Sequence, residues 1–397
     1  MREQADISWR QNSIVQREGM TGETKHRYVA LDSLRGVCAC MIVLLHFDTF
    51  GYISRSAFVQ HSFLFVDFFF VLSGFVIAAS YGDRLGEGYS IPKFMMLRLG
   101  RVYPLHIVML ALFVAWELAT INIVRPSGRL PFSDGYTVGM IFANLGLVQT
   151  FIGHPTSWNG PAWSIAVEVW TYLVFAFGFR YLGRFLVLVA LILAVVCGCY
   201  LLTATDRYLN VFHEGAFARC LIGFSLGVVT FRAHRYFQPR LGVTLATLLE
   251  IVAVAATIAI VVAAGASILS LAVPPLFALV ILVFAQQSGA MSRVLILPPL
   301  EFLGKVSYSI YMVHLFIVFR THNALEAVQR VTHHYGLVTT IDDRKFAGST
   351  PLMGDILSIM VLCMAIVAAT LSYKLVEFPA NQWVRRKVST FRQSRSS

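Results

Sequence analysis

Eleven apolar runs divide this chain, and their length constrains the fold more than any other feature. Each is close to the roughly 20 residues that an α-helix needs to cross about 30 Å of hydrocarbon. Hydrophobic residues make up 57% of the 397 residues and charged residues 13%, with a mean hydropathy of +0.68. A soluble or disordered chain is therefore excluded, and we predict an all-α, polytopic integral membrane helical bundle. The runs are 29–50, 62–80, 95–119, 136–152, 162–179, 184–203, 212–231, 241–263, 267–286, 301–320 and 355–378.

The run at 136–152 is the weakest, because it is short and holds two glycines and two amides. If it does not cross, the cytoplasmic segments carry 21 of the 32 Lys and Arg residues and the outer segments carry 8. If it does cross, the basic segments 231–240 and 385–387 move outside, which inverts the positive-inside rule. We therefore predict about 10 transmembrane helices plus a short re-entrant or interfacial helix, with cytoplasmic N- and C-termini.

Three regions follow from this topology. Residues 1–28 form a polar cytoplasmic segment without the apolar core of a signal peptide, 29–384 form the membrane domain, and 385–397 form a basic cytoplasmic tail. The net charge of +11 marks the cytoplasmic face of a protein in a lipid bilayer, so no nucleic acid partner is predicted. The six cysteines have no metal-site spacing, and no metal is predicted.

Ionisable side chains inside an apolar run are costly, so each is a candidate site residue. Asp32 and Arg35 in the first run share a helix face and can pair. His46 lies on the same face but about 16 Å further along the axis, so it serves another part of one long cavity. Imidazole suits acid–base chemistry at neutral pH. The alternative is a helix-end ion pair, with the histidine reaching towards the far interface.

Two further runs carry charge. Arg98 and Arg101 share a face at a predicted cytoplasmic end, where two guanidinium groups suit a phosphate-bearing ligand. The alternative is ordinary positive-inside anchoring.

Glu168 enters from the outer half, where His46 ends, and a carboxylate there could orient the imidazole. A structural ion pair is the alternative for this glutamate.

The tenth run carries a polar stripe on an apolar helix. Ser307, Tyr311 and His314 fall at i, i+4 and i+7, so they face the bundle interior together. The stripe either lines the path of an acceptor or joins helices through hydrogen bonds. Asp67 and Arg219 add buried charge whose pairing one sequence does not reveal.

Six motifs in order resemble the membrane acyltransferase-3 family, the O-acyltransferases of bacterial surface and secreted glycans. The similarity runs from about residue 28 to about 384 and makes 29–384 a membrane acyltransferase domain. One departure is minor, since Phe68 stands where members often have Leu. The motifs are Leu-Asp-x-Leu-Arg-Gly with His46, Val66–Phe75, Arg98-x-x-Arg101 with Tyr103-Pro104, Trp163-Ser164 with Glu168, Gly304–His314 and Tyr373–Pro379.

The resemblance implies transfer of an acyl group, expected to be acetyl, from cytoplasmic acyl-CoA to a hydroxyl of a carbohydrate or glycolipid acceptor. It links His46, Arg35, Arg98 and Arg101 to activity. It also implies a multi-pass protein of the bacterial inner membrane. We expect Asp32 and Glu168 to support Arg35 and His46 in catalysis.

The substrate path is expected to include Trp163, Ser307, Tyr311 and His314. Two alternatives remain open for the function. One is an acyltransferase acting on a cytoplasmic small molecule. The other is a secondary transporter, which predicts inverted repeats that the sequence does not show.

Overall fold

The computed structural model describes residues 27–122, 130–152, 157–237, 241–333, 336–341 and 344–393. Most of the predicted N-terminal segment and residues 394–397 of the predicted tail lie outside these ranges. Within them, twelve helices have eight or more residues. In chain order they are α1 (Val29–Leu45), α2 (Phe65–Ile77), α3 (Ile91–Ala119), α4 (Val138–Leu145), α5 (Ala162–Tyr181), α6 (Leu186–Ala204), α7 (Ala216–Tyr236), α8 (Val243–Ala264), α9 (Val273–Phe284), α10 (Pro298–Thr332), α11 (Pro351–Ser372) and α12 (Phe378–Gln393).

Shorter elements join these helices. Two π-helical turns, Ala78–Gly82 and Tyr373–Glu377, continue α2 and link α11 to α12. An antiparallel hairpin pairs β1 (Val338–Ile341) with β2 (Arg344–Ala347). The short α-helices are Tyr52–Arg55, Ala57–Gln60, Asp83–Gly86, Gln149–Ile152 and Ala290–Leu295, and the 3₁₀ turns are Ser62–Leu64, Asp134–Tyr136, Gly183–Phe185 and Ile268–Ala272.

The prediction of an all-α membrane bundle is confirmed. Eight helical segments in the described part of the chain are long and apolar enough to cross a membrane. Two shorter helical segments, Val29–Leu45 and Ile268–Phe284, occupy the first and ninth predicted runs. The fourth run contains two short helices, the eight-residue α4, which spans about 12 Å, and Gln149–Ile152, and neither is long enough to cross.

The segment between the tenth and eleventh apolar runs, residues 320–355, differs most from a simple loop. Helix α10 continues to Thr332, because residues after 320 keep a helical pattern while becoming too polar for a hydropathy-based span. The hairpin follows, so the fold is not purely helical. At the other end, α12 passes through the predicted tail boundary at 385 without a break.

The hairpin fixes the segment that follows α1. The amide of Ala347 donates to the carbonyl of Asp48 (3.0 Å), and the amide of Phe50 donates to the carbonyl of Ala347 (3.3 Å). Gln329 on the extended α10 accepts hydrogen bonds from the amides of residues 337 and 338. The chain just beyond His46 is therefore held by backbone hydrogen bonds.

Glycines bring α1 and α10 into close contact. A Cβ on Gly36 would lie 2.5 Å from the carbonyl carbon of Leu303, and one on Gly304 would lie 2.5 Å from the carbonyl of Asp32. Only glycine lets the two backbones approach this closely. The contact sets Arg35 directly beside the first turns of α10.

A buried ion pair lies between α2 and α7. Arg219 donates from Nε (2.9 Å) and Nη2 (2.7 Å) to the two carboxylate oxygens of Asp67, and both side chains are fully buried. Carbonyls of Phe63 and Val211 accept its other hydrogen bonds. The pairing left open by the sequence is thus a bidentate structural one.

Candidate active site

Three guanidinium groups share one cavity inside the bundle. Arg35 from α1 and Arg98 and Arg101 from α3 line a space of about 90 Å³, together with Glu168 from α5. The cavity lining therefore carries more positive than negative charge. An anionic ligand would restore the balance.

Arg35 is anchored to α10 rather than free in the cavity. Its Nε donates to Ser307 Oγ (2.7 Å), and its Nη2 donates to the carbonyl of Gly304 (3.1 Å). Asp32 lies 3.5 Å from Nη2, as the i, i+3 spacing predicts, but the same carboxylate is closer to Arg27 Nε at 3.1 Å. The predicted Asp32–Arg35 ion pair forms, and Arg27 binds the same Asp32 carboxylate.

Arg98 and Glu168 meet through a tyrosine. Tyr172 Oη donates to Glu168 Oε1 (2.6 Å) and accepts from Arg98 Nη2 (2.9 Å). The Arg98 guanidinium also lies over the Tyr172 ring, 4.8 Å from its centroid. Its Nε is buried without a hydrogen-bond partner. One donor of this side chain is thus left for a ligand.

Arg101 makes no hydrogen bond or ion pair with any residue that the structure describes. Glu377, whose carboxylate accepts a hydrogen bond from Ser309 Oγ (2.7 Å), interacts electrostatically with this guanidinium. An arginine held in a cavity without a close partner is prepared to bind an anion.

The polar stripe of α10 leads from this cavity to His46. Ser307 and Tyr311 line the cavity, and Tyr311 Oη accepts a hydrogen bond from Ser164 Oγ (3.0 Å). His314 follows one turn later, and its ring centroid lies 4.9 Å from that of His46. All three stripe residues are buried, which confirms that the stripe faces the interior.

Carbonyl partners fix the tautomers of both histidines. Nδ1 of His46 lies 2.8 Å from the carbonyl of Ile42, and Nδ1 of His314 lies 2.7 Å from the carbonyl of Tyr311. A carbonyl only accepts, so Nδ1 carries the proton in each ring and Nε2 keeps its lone pair. His314 Nε2 is buried without a partner, whereas His46 is exposed at the end of α1.

The predicted site residues fall into two groups. The first group lines the arginine cavity, and the second lies around His46 at the far end of the stripe. Among the described contacts, none joins Glu168 to His46, since the carboxylate is bonded to Tyr172 instead. Trp163 does not line the cavity but packs against Phe70 and Arg219. The cavity group is Arg35, Arg98, Arg101, Glu168, Ser307 and Tyr311.

Two polar residues were missed as site candidates from the sequence. Tyr172 is one turn beyond Glu168 on the same face of α5, so helical spacing could have found it. Glu377 lies in the last of the six motifs, Tyr373–Pro379, for which the sequence suggested no role. It is the final residue of a π-helical turn. Such turns are frequent at functional sites.

No group of three metal-binding side chains occurs in the part of the chain that the structure describes. The chemistry that this arrangement can support is binding of an anion at one end and proton transfer at the other. The two ends are separated by the length of α1 between Arg35 and His46, about 16 Å.

Comparisons with known proteins identify the family to which the chain is similar. The acyltransferase-3 family model, described as an acyltransferase domain, matches residues 28–375. A protein called "Protein 2 in picA locus" from Rhizobium radiobacter is 34% identical over 190 residues, covering 45% of this chain and 96% of that protein. "Acyltransferase MdmB" from Streptomyces mycarofaciens is 32% identical over 142 residues, covering 34% of this chain and only 30% of its own length. No solved structure matches the chain significantly.

Proposed function

The chain belongs to the acyltransferase-3 family, and from this premise we propose that it is a membrane O-acyltransferase using acyl-CoA as donor and a carbohydrate as acceptor. The observation that carries the proposal is the cavity with three arginines, which the stripe of α10 links to an exposed histidine. A long, thin, anionic donor fits these two separated ends better than a compact one.

The donor is proposed to dock at the arginine cavity. Coenzyme A carries phosphate groups, and guanidinium groups bind phosphate through paired, charge-assisted hydrogen bonds. Arg98 and Arg101 take the phosphates, because Arg98 Nε and the whole Arg101 guanidinium lack close partners among the described residues. Arg35, already anchored to Ser307, orients the arm of the donor as it enters the bundle.

The cavity itself is small beside the roughly 300–1,000 Å³ of typical ligand pockets. It therefore suits the narrow pantetheine arm rather than the whole coenzyme. Tyr311 lines the cavity and lies next to His314, so the arm can follow this side of α10 towards His46. The thioester then lies near the exposed imidazole.

The transfer step needs a base and no metal. His46 Nε2 removes the proton from the acceptor hydroxyl, whose oxygen attacks the thioester carbonyl carbon. The carbon–sulfur bond breaks, coenzyme A leaves as a thiolate, and the proton held by His46 returns to that sulfur. The products are an O-acyl ester and free coenzyme A. Acetyl is the acyl group we propose.

The acceptor is proposed to be an exported glycan or glycolipid, such as an exopolysaccharide or lipopolysaccharide. The basic residues support an inner-membrane protein with both termini cytoplasmic, which puts His46 in the outer half. An acyltransferase acting on a cytoplasmic small molecule is the second candidate. A cysteine introduced at Lys345 tests the choice: labelling by an impermeant maleimide on intact spheroplasts supports an outer His46.

The function is tested in two steps. Acetyl-CoA should raise the melting temperature of the purified wild-type protein in nanodiscs. Deleting the gene should then remove O-acetyl groups from a surface glycan, and wild-type protein should restore them. No stabilisation by acetyl-CoA, or unchanged glycan acetylation after deletion, would contradict the proposal, and the first result would favour a transporter.

A further inference from the structure

A third arginine with unused donors, Arg320, lies on α10 where the tenth apolar run ends. Nε and Nη1 of Arg320 are buried and have no hydrogen-bond partner. No carboxylate of the described residues lies within ion-pair distance of this guanidinium. The side chain as a whole is partly buried, and buried donors without a partner are unfavourable unless a ligand completes them.

Aromatic rings surround this guanidinium. Its central carbon lies 3.7 Å from the Trp116 ring centroid and 5.4 Å from that of Phe316. Tyr136 interacts electrostatically with the guanidinium, and the Tyr136 ring packs edge-on against Trp158 at 5.5 Å. Stacking on Trp116 fixes the plane of the guanidinium, so its fork is oriented before a ligand arrives. Trp116 is itself exposed on the surface of α3.

The position relates this group to the proposed transfer site. Arg320 follows His314 by six residues, about 9 Å along the axis of α10 and away from the arginine cavity. A saccharide with a hydroxyl at His46 would extend to this level. A different part of the same acceptor could thus reach this level, although six residues place Arg320 on another face of α10 than His314.

We propose that Arg320, stacked on Trp116, forms an oxyanion site that binds a carboxylate or phosphate of the acceptor. The inference rests on the proposed function and narrows it: the acceptor is an anionic saccharide or a phosphate-linked glycolipid. The acylated hydroxyl and the anionic group then belong to neighbouring parts of one molecule. A phospholipid headgroup offers the same phosphate chemistry, so the test must separate these two sources.

Binding is measured by thermal unfolding of the full-length protein in a lipid-free polyoxyethylene detergent. The probes are glucuronate, glucose 1-phosphate, neutral glucose, and short-chain phosphatidylglycerol with phosphatidylcholine as its control. Glucuronate or glucose 1-phosphate should stabilise the wild type in a concentration-dependent way, and glucose should not. Stabilisation by phosphatidylglycerol alone would assign the site to a lipid and overturn the acceptor assignment.

The variants identify the residue. Arg320→Gln should weaken the response to the anionic sugars by at least about tenfold, because a charge-assisted hydrogen bond is lost. Arg330→Gln, on the exposed part of the same helix, is the matched control and should respond as the wild type does. Arg320→Lys, which keeps the charge but loses the fork, should also bind more weakly.

An unchanged response in both Arg320 variants, or no response of the wild type to either anionic sugar, would overturn the site. The readout does not depend on acyl transfer. If the wild type binds glucuronate but transfers no acyl group, the proposed function fails while the anion site stands.

Discussion

The imidazole of His46 lies 4.9 Å from that of His314, and each ring donates its Nδ1 proton to a backbone carbonyl. Two neutral rings that both keep the lone pair on Nε2 cannot hydrogen-bond to each other. Once His46 takes a proton, its Nε2 becomes a donor and the buried Nε2 of His314 can accept from it. This arrangement gives His314 a positioning role in the proposed transfer.

Replacing His314 by Gln should therefore slow transfer without affecting donor binding. We expect kcat to fall by about 10²-fold, at the low end of what acid–base assistance contributes, while the Kd for acetyl-CoA stays the same. A shift of the pH–rate profile should accompany the loss, since a merely structural role would not move it. An unchanged kcat and an unchanged pH profile would show that His314 does not position His46 for transfer.

The next prediction concerns Arg98 in the arginine cavity, the proposed donor site. Arg98→Gln should weaken acetyl-CoA binding about 10- to 100-fold, because charge-assisted hydrogen bonds to phosphate contribute about 1.5–3 kcal/mol. Isothermal titration of the purified protein with acetyl-CoA measures this change in Kd. Arg385→Gln, which changes an exposed arginine of α12 bonded to Asn381, is the control and should bind normally. Equal loss in both variants would point to general charge attraction rather than a built site.

The close contact between α1 and α10 predicts that stability depends on Gly36. An added methyl group would meet the backbone of Leu303 at 2.5 Å, so Gly36→Ala should destabilise the protein by about 1–3 kcal/mol. Gly198 in α6 has open space around its Cβ position, so Gly198→Ala should be neutral or slightly stabilising. Thermal unfolding of both variants checks this. Equal stability would show that the helices can separate without cost.

The buried Asp67–Arg219 ion pair predicts that stability depends on the Asp67 carboxylate. Asp67→Asn leaves the Arg219 guanidinium uncompensated in the interior, which should cost about 3–5 kcal/mol. Glu326→Gln breaks surface pairs with Arg330 and Lys345 and should cost about 0–1 kcal/mol. Chemical unfolding in mixed micelles compares the two. A small effect at Asp67 would mean that water reaches the pair.

The number and place of the helices follow from the sequence because membrane helices must satisfy their backbone internally and cover it with apolar side chains. That signal fails where the helix leaves the membrane. Helix α10 runs on to Thr332 with polar residues, so hydropathy ended it near 320. The hairpin after it pairs backbone to backbone and leaves little trace in composition.

Site residues that share one helix were predictable, but their partners across helices were not. Helical spacing joined Asp32 to Arg35 and placed Ser307, Tyr311 and His314 on one face. The contact of His46 with His314 depends on how α1 packs against α10, which no single helix encodes. For the same reason Glu168, expected near His46, is bonded to its own helix neighbour Tyr172.

We propose that the donor binds at the arginine cavity and reacts at His46. The most direct test is single-turnover transfer from radiolabelled acetyl-CoA by purified, folded His46→Ala protein, together with the Kd of this variant for the same donor. We predict a Kd equal to that of the wild type and a transfer rate lower by about 10²- to 10⁴-fold. Transfer at the wild-type rate would contradict the account.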